Sequence, residues 1–157
     1  MPKAALPKTV LVRDVMSRNL IFARADHSLD QAWATLHESG VSGAPVLDAR
    51  GRLVGILSRG DLADPRHRPP ATPGRVEDAM TRVLYAVRAD DPLLNAVRLM
   101  IQHSIHRALV VHEDGTLAGI ITPMDVLRAL ASGQATIEPT HDAEVEFVDL
   151  GKLLARA

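Results

Sequence analysis

The sequence contains no cysteine and few aromatic residues, and both absences exclude classes of protein. Without cysteine the chain cannot form a disulfide framework, a thiol nucleophile or a cysteine-ligated zinc or iron–sulfur site. One Trp, one Tyr and two Phe are too few for a surface that stacks nucleic-acid bases. The formal net charge of -1 also predicts no basic surface of the kind that binds nucleic acid.

Long apolar runs are absent as well. The longest, such as Ala108 to Val111, fall far short of the roughly 20 residues that span a bilayer. The first eight residues contain charges and prolines and do not resemble a secretory signal. We therefore predict no membrane association and a cytoplasmic location. The 157 residues, 46% of them hydrophobic, suffice for a packed core in one domain or two small ones.

An internal repeat organises most of the chain. Positions 12–62 align without a gap on positions 76–126, with 17 identities in the 51 pairs. The stretch between the copies is rich in proline, which predicts an exposed, extended linker. The predicted domains are a first repeat, 12–62, a proline-rich linker, 63–75, a second repeat, 76–131, and a C-terminal extension, 132–157.

Each repeat reads as strand, helix, strand, strand, helix. In the first helix of the first repeat, Ser28 and Gln31 form a capping-box pattern ahead of apolar residues at helical spacing. In the second repeat Asp91 is the predicted N-cap and Pro92 the first helical residue. The fold class is therefore α/β, with two β-α-β-β-α repeats. We expect them to pack about a pseudo-twofold axis, because about 50 residues alone bury too little apolar surface to be stable.

The C-terminal extension follows a different pattern. Acidic and apolar residues alternate over 144–149, which predicts an added strand. A short helix is predicted from Gly151. Nothing in this extension indicates chemistry.

Several motifs recur at the same places in both repeats. The first repeat contains Val12-Arg-Asp-Val-Met-Ser17, Val41-Ser-Gly-Ala-Pro-Val46 and Gly55-Ile-Leu-Ser58-x-x-Asp61. The second contains Val76-Glu-Asp-Ala-Met-Thr81, Ile105-His-Arg-Ala-Leu-Val-Val111 and Gly119-Ile-Ile-Thr122-x-x-Asp125. This combination resembles a tandem pair of CBS domains, also called a Bateman module. The resemblance implies a regulatory module that binds adenine nucleotides or related adenosyl ligands.

The resemblance gives the acidic residue of the last motif a ligand-binding role. It implies that Asp61 and Asp125 accept hydrogen bonds from ribose hydroxyls, a task that suits a carboxylate as a double acceptor. It also implies that Ser58 and Thr122, each at the start of a helix, meet ribose or phosphate oxygens. The alternative reading of the residues alone is a helix N-cap with an acidic residue in the first turn.

The resemblance assigns ligand phosphates to a second motif, His106-Arg107. The guanidinium fork of an arginine matches phosphate geometry, and histidine adds a donor. Ser42 and Gly43 occupy the equivalent positions in the first repeat and carry no charge. We therefore expect the second-repeat cleft to prefer phosphorylated ligands, and the first-repeat cleft to prefer neutral adenosine or to stay empty. The alternative for His106-Arg107 is a solvated pair between a helix and a strand.

By the same resemblance, the adenine would lie in an apolar slot formed largely by the opposite repeat. Asn19 to Ile21 and Val41 would serve the second-repeat cleft. Val83 to Tyr85 and Ile105 would serve the first-repeat cleft. From the residues alone, each of these positions is equally well explained as part of a core strand.

The sequence predicts neither catalysis nor a metal site. It lacks Gly-x-x-x-x-Gly-Lys-Ser/Thr and Gly-x-Ser-x-Gly. No carboxylate completes a metal-binding set with His103, His106 and His112. The expected ligand is AMP, ADP or ATP, with S-adenosylmethionine and NAD as further candidates. We expect a homodimer whose output passes to an unknown protein effector or through self-assembly. The rival hypothesis is an interaction or dimerisation scaffold with no physiological nucleotide.

Overall fold

The chain folds into short strands and helices that follow the same order twice. The computed structural model describes residues 9–67, 74–135 and 148–149, and within these it contains six helices and seven strands. In chain order they are α1 (Val12–Val15), β1 (Ala23–Arg24), α2 (Leu29–Glu38), β2 (Gly43–Leu47), β3 (Leu53–Ser58), α3 (Arg59–Ala63), α4 (Val76–Ala79), β4 (Tyr85–Arg88), α5 (Leu93–Gln102), β5 (Ala108–Val111), β6 (Leu117–Ile121), α6 (Pro123–Ala131) and β7 (Val148–Asp149). The α/β class is confirmed.

The chain divides into two compact units, and only one of them is a continuous stretch of sequence. The central unit comprises residues 19–84, and the split unit combines residues 1–18 with residues 85–157. The predicted order of strand, helix, strand, strand, helix is confirmed in each: β1-α2-β2-β3-α3 in the central unit and β4-α5-β5-β6-α6 in the split unit.

A three-stranded sheet in the order β1-β2-β3 forms the centre of the central unit. β1 runs parallel to β2, and β2 runs antiparallel to β3, so that Gly43 pairs with Ser58 at one end of this hairpin. Leu36 of α2, Leu57 of β3 and Leu62 of α3 are fully buried in one core. Each such side chain contributes about 1.5–3 kcal/mol when it leaves water, which holds both helices against the sheet.

The split unit contains a four-stranded sheet in the order β6-β5-β4-β7. β4 runs parallel to β5, and β5 runs antiparallel to β6, with Ala108 paired with Ile121. The fourth strand, β7, pairs antiparallel with β4, so the C-terminal extension does add a strand at Val148–Asp149. Residues 144–147 and the helix predicted from Gly151 lie outside the described residues.

The first six residues of each repeat, 12–17 and 76–81, pack into the unit that the other repeat mainly forms. We call these two segments the opening runs. α1 belongs to the split unit, where Ser17 donates to the Ile120 carbonyl at 2.9 Å and accepts from the Ile120 N–H at 3.0 Å. In the central unit, Thr81 follows α4 and exchanges both backbone hydrogen bonds with Ile56 at 2.9 Å. The boundaries of the compact units therefore differ from those of the sequence repeats, because each opening run belongs to the unit of the other repeat.

Two glycines at equivalent positions lie directly against these opening runs. A Cβ built at Gly119 would stand 2.6 Å from the carbonyl oxygen of Ser17. A Cβ at Gly55 would stand 2.6 Å from Sδ of Met80 and 3.0 Å from the carbonyl oxygen of Thr81. Because glycine has no Cβ, it permits this close approach of backbone.

The predicted helix starts are confirmed for α2 but wrong for α5. At α2, Ser28 Oγ accepts from the Gln31 N–H at 3.1 Å, and Gln31 Oε1 accepts from the Ser28 N–H at 2.9 Å. At α5 the N-cap is Pro92, not Asp91, because the extended ψ of 139° at Pro92 delays the helix by one residue. The Asp91 carboxylate instead accepts a hydrogen bond from the Arg88 N–H at 2.9 Å and stabilises the preceding turn.

The linker is not extended over its first residues, contrary to the prediction. Ala63 still belongs to α3, and Pro65–His67 form a 3₁₀ turn. The fixed φ of a proline suits the first position of such a turn, and its missing N–H prevents α3 from continuing. Residues 68–73 lie outside the described residues.

A strained residue follows α5. Ser104 has a φ of +51°, at the position equivalent to Gly40, whose φ is +67°. A side chain in this left-handed region costs about 1–2 kcal/mol, whereas glycine adds roughly 0.5–1 kcal/mol of unfolded-state entropy.

We therefore expect Ser104→Gly to raise the free energy of unfolding by about 0.5–1 kcal/mol in urea denaturation. Gly40→Ser, where a Cβ would meet no atom within 4 Å, should lower it. Equal stability of wild type and both variants would contradict this account.

Candidate functional site

α3 of the central unit begins with a reciprocal cap. Asp61 Oδ2 accepts hydrogen bonds from the Ser58 backbone N–H and from the Ser58 hydroxyl, both at 2.7 Å. Ser58 Oγ in turn accepts from the Asp61 N–H at 3.1 Å. Both residues are half-buried. This copy of the motif is therefore a capping box, which satisfies N–H groups that a helix start leaves unpaired.

α6 of the split unit begins in the same way. Asp125 Oδ2 accepts from the Thr122 N–H and from the Thr122 hydroxyl, both at 2.8 Å, and Thr122 Oγ1 accepts from the Asp125 N–H at 3.3 Å. Pro123 occupies the first helical position, where a missing N–H costs nothing. The second oxygen, Asp125 Oδ1, lies 3.9 Å from Nη1 of Arg128.

Capping and ligand recognition are compatible at Asp125. The cap bonds reach Oδ2, whereas Oδ1 has a longer ion pair with Arg128. Each carboxylate oxygen has two acceptor lone pairs, so Oδ1 can accept a hydrogen bond from outside the helix. The two interpretations of the motif are therefore not exclusive, because one carboxylate can perform both tasks.

The strand register brings the predicted phosphate-contacting pair to this cap. Ala108 pairs with Ile121 in the antiparallel hairpin of β5 and β6, which places Arg107 opposite Thr122 at the same end. His106 precedes Arg107 and is exposed, while Arg107 is half-buried. The structure thus gathers four of the predicted site residues at one end of one hairpin.

The equivalent end of the central unit is assembled from the same positions. Gly43 pairs directly with Ser58 across β2 and β3. The Arg59 N–H, at the first position of α3, donates to the carbonyl oxygen of Ser42 at 3.0 Å. Ser42 and Gly43 therefore lie next to the Ser58–Asp61 cap.

The sequence interpretation missed one charged residue here, Arg59. It is exposed and stands between the two motif residues of the first repeat, beside Ser42. Pro123 occupies the equivalent position in the second repeat. A position-by-position comparison of the two repeats would have revealed it: the first repeat has Arg59 but no cation at positions 42 and 43.

The residues predicted to hold an adenine for the second-repeat cleft all lie in the central unit. Asn19 and Ile21 precede β1, with Asn19 exposed and Ile21 half-buried. Val41 follows α2, is half-buried and donates its N–H to the Leu36 carbonyl at 3.1 Å.

The residues predicted for the other adenine are divided between the units. Val83 belongs to the central unit and is exposed, whereas Tyr85 and Ile105 belong to the split unit and are half-buried. The Tyr85 ring lies against the imidazole of His103, with a centroid distance of 4.3 Å. Tyr85 thus has a packing partner within its own unit.

Within the described residues there is neither a metal-binding cluster nor a membrane-spanning helix. No group of three or more His, Cys, Asp or Glu side chains in 9–67 and 74–135 is arranged to hold a metal ion. In the same part of the chain, no helix combines the length and the apolarity required to cross a membrane.

Comparison with known proteins identifies the family. The family model described as "CBS domain" matches residues 12–66 and again residues 76–132. The chain therefore belongs to the CBS domain family and carries two copies in tandem, which confirms the resemblance drawn from the motifs.

Solved structures of CBS domain pairs have the same fold. The CBS domain pair of protein MJ0100, in complex with 5′-methylthioadenosine and S-adenosyl-L-methionine, is 28% identical with a TM-score of 0.70, covering 81% of this chain and 99% of that one. CBSX2 in complex with AMP is 32% identical with a TM-score of 0.67, covering 80% and 98%. CBSX2 is a CBS-pair protein of Arabidopsis thaliana.

Several curated relatives are much longer proteins. The A-adding tRNA nucleotidyltransferase of Aquifex aeolicus is 31% identical over 119 residues, which are 76% of this chain but 14% of the relative. The homoserine O-acetyltransferase of Methanococcoides burtonii is also 31% identical over 119 residues, 24% of its length. The chain thus spans a minor part of these relatives, whose names describe different activities.

Proposed function

We propose that this chain is a regulatory module that binds adenosyl ligands and passes the ligand state to a protein effector or to a second copy of itself. The observation that carries the proposal is the duplicated Ser/Thr–Asp cap, which recurs at the same hairpin end in both units. The solved neighbours support it, since one binds AMP and another binds 5′-methylthioadenosine and S-adenosyl-L-methionine.

In this proposal the ligand meets the cap through its ribose. Asp125 and Asp61 accept hydrogen bonds from the ribose hydroxyls, while Thr122 and Ser58 hold each carboxylate in place. Charge-assisted hydrogen bonds of this kind are about twice as strong as neutral ones.

The two sites differ in charge, and this difference ranks their ligands. His106 and Arg107 give the split unit two groups for phosphate oxygens, so this site prefers AMP, ADP or ATP. In the central unit positions 42 and 43 carry no charge, and the cation within the Ser58–Asp61 motif is the exposed Arg59, whose N–H donates to the Ser42 carbonyl. We propose that the central site accepts adenosyl groups without phosphate, for which S-adenosylmethionine is a candidate, or stays empty.

The competing function is a scaffold without a nucleotide. It is favoured by one observation: the caps at Asp61 and Asp125 are complete without any ligand. In this alternative the module only joins protein chains, and the two equivalent carboxylates stabilise helix starts.

Calorimetric titration of the full chain with AMP, ATP and S-adenosylmethionine tests the proposal. We expect micromolar, saturable binding of at least AMP or ATP. The matched control is 2′,3′-dideoxy-AMP, which keeps the adenine and the phosphate but lacks both ribose hydroxyls. It should bind at least about 10-fold more weakly, because a hydrogen bond to a charged group contributes about 1.5–3 kcal/mol. A folded, monodisperse sample that gives no heat with any of the three ligands would support the scaffold instead.

A further inference from the structure

Arg128 is a cation beside the proposed ribose acceptor of the split unit. Its Nη1 lies 3.9 Å from Oδ1 of Asp125, the carboxylate oxygen that the cap bonds do not use. Both residues belong to α6, and side chains three positions apart lie on the same side of a helix. The Asp125 side chain is 16% exposed and the Arg128 side chain 76% exposed. A ligand hydroxyl that reaches Oδ1 from solvent therefore comes close to the guanidinium.

The fold has little need of this ion pair. Exposed ion pairs add little to stability, because water screens the charges and two long side chains lose freedom. The Asp125 carboxylate is already held in place by the N–H and the hydroxyl of Thr122, both at 2.8 Å. The charge of Arg128 is therefore not required for the cap and is available to act on a ligand.

The equivalent position of the first repeat carries the opposite charge. At the offset of 64 residues that relates the repeats, Asp125 corresponds to Asp61 and Arg128 corresponds to Asp64. The Asp64 carboxylate pairs with Arg66, whose Nη2 lies 2.5 Å from Oδ2. Two otherwise matching caps thus differ in the charge three residues after the acidic residue. Because the same architecture forms with either charge, the choice at this position can serve ligand recognition.

We infer that Arg128 is a specificity-determining residue of the split-unit site, where its charge favours adenosyl ligands with a 5′-phosphate over those with a neutral or cationic 5′ group. A ribose oxygen bonded to Asp125 Oδ1 would lie about 2.7 Å from it, and so within about 7 Å of Arg128 Nη1. This separation is shorter than the Debye length of about 8 Å at physiological ionic strength, so the charge acts without contact. A phosphate on that sugar is attracted, whereas the sulfonium of S-adenosylmethionine is repelled. The inference rests on the proposed function and adds a residue to one of its sites.

The test measures binding of AMP and ATP to full-length variants by titration calorimetry at about 20 mM and about 500 mM NaCl. Arg128→Asp introduces the charge that the first repeat has at Asp64, Arg128→Gln only removes the charge, and Arg128→Lys keeps it without the guanidinium fork. The matched control is Arg88→Asp, the same change of charge at another exposed position of the same unit. Arg88 pairs with Val111 at the last position of β5, whereas the site lies beside the first, Ala108. Circular dichroism establishes that each variant is folded.

We expect wild type, Arg128→Lys and Arg88→Asp to bind the nucleotides within about 2-fold of one another. At low salt Arg128→Asp should bind at least about 5-fold and Arg128→Gln at least about 3-fold more weakly, because a nearby charge is removed or reversed. At high salt these losses should shrink below about 2-fold, since dissolved ions screen a charge that acts through space. If Arg128→Asp does not fold, Arg128→Gln decides.

Wild-type affinity in the folded Arg128→Asp and Arg128→Gln variants at low salt would overturn the inference and leave the proposed function intact. So would a loss that persists at high salt, or an equal loss in Arg128→Lys or in Arg88→Asp, because the local charge would then not be the cause. A folded wild type that binds neither AMP nor ATP would instead refute the nucleotide-binding function on which the inference rests.

Discussion

Asp125→Asn is expected to weaken the binding of AMP by roughly 10- to 100-fold while lowering the free energy of unfolding by less than about 1 kcal/mol. The asparagine side-chain oxygen can still accept the cap bond from the Thr122 N–H, which measures 2.8 Å in the wild type. Its other atom is an amide nitrogen, which donates and so cannot accept from a ribose hydroxyl. The loss corresponds to one hydrogen bond to a charged group, about 1.5–3 kcal/mol. Titration calorimetry and urea denaturation measure the two effects separately.

Two controls distinguish the ribose role of Asp125 from its cap. Asp125→Ala removes both, so it should lose the same affinity and in addition about 1 kcal/mol of stability. With 2′,3′-dideoxy-AMP as the ligand, wild type and Asp125→Asn should bind alike, because no ribose hydroxyl is present to be recognised. AMP binding by Asp125→Asn at wild-type affinity would show that this carboxylate is a cap alone.

Gly119→Ala is expected to lower the free energy of unfolding by about 2–3 kcal/mol, near the upper end of the cost of overpacking. The new Cβ would stand 2.6 Å from the Ser17 carbonyl oxygen and 2.8 Å from Met16 Sδ. The carbonyl cannot retreat without breaking the paired hydrogen bonds between Ser17 and Ile120. For a chain of this length the melting temperature should fall by roughly 5–10 °C, which differential scanning calorimetry measures.

Two other glycines provide graded controls for this prediction. Gly55→Ala meets Met80 Sδ at 2.6 Å, the flexible end of a side chain, and backbone only at 3.0 Å, so about 1 kcal/mol is expected. Gly60→Ala lies in α3 with an ordinary contact of 3.5 Å and should be neutral or stabilising by up to about 1 kcal/mol. If Gly119→Ala melts at the wild-type temperature, or if Gly55→Ala is the more damaging of the two, the packing argument is wrong.

Local features of the fold could be predicted from the sequence because their causes are local. The capping boxes at Ser28, Ser58 and Thr122 need only residues three positions apart, and all three are present. The hairpin strands follow from short apolar runs around a turn. The helix start predicted at Asp91 was wrong, because Pro92 has an extended backbone and is itself the N-cap. The Asp91 carboxylate accepts a hydrogen bond from the Arg88 N–H instead.

Long-range features could not be predicted from one sequence. Nothing in the residues from Val12 to Ser17 indicates that Ser17 pairs with Ile120 in the other repeat. The contact depends on a glycine more than 100 positions away, Gly119. At the candidate site, Thr122 and Asp125 could be recognised from their motif. Arg59 was overlooked because the two repeats were compared at positions 42 and 43 but not at position 59, and its backbone bond to Ser42 places its N–H beside that pair.

Because the opening runs are exchanged, the segment that was duplicated in the sequence is not the same as the compact unit that folds. The first residues of each repeat pack in the compact unit that the other repeat forms. A single copy lacks the run that bridges to its last strand, β3 or β6, and exposes the glycine against which that run packs. Duplication here therefore produced an obligatory pair, in which neither copy can be lost, exchanged or transplanted without leaving the other incomplete.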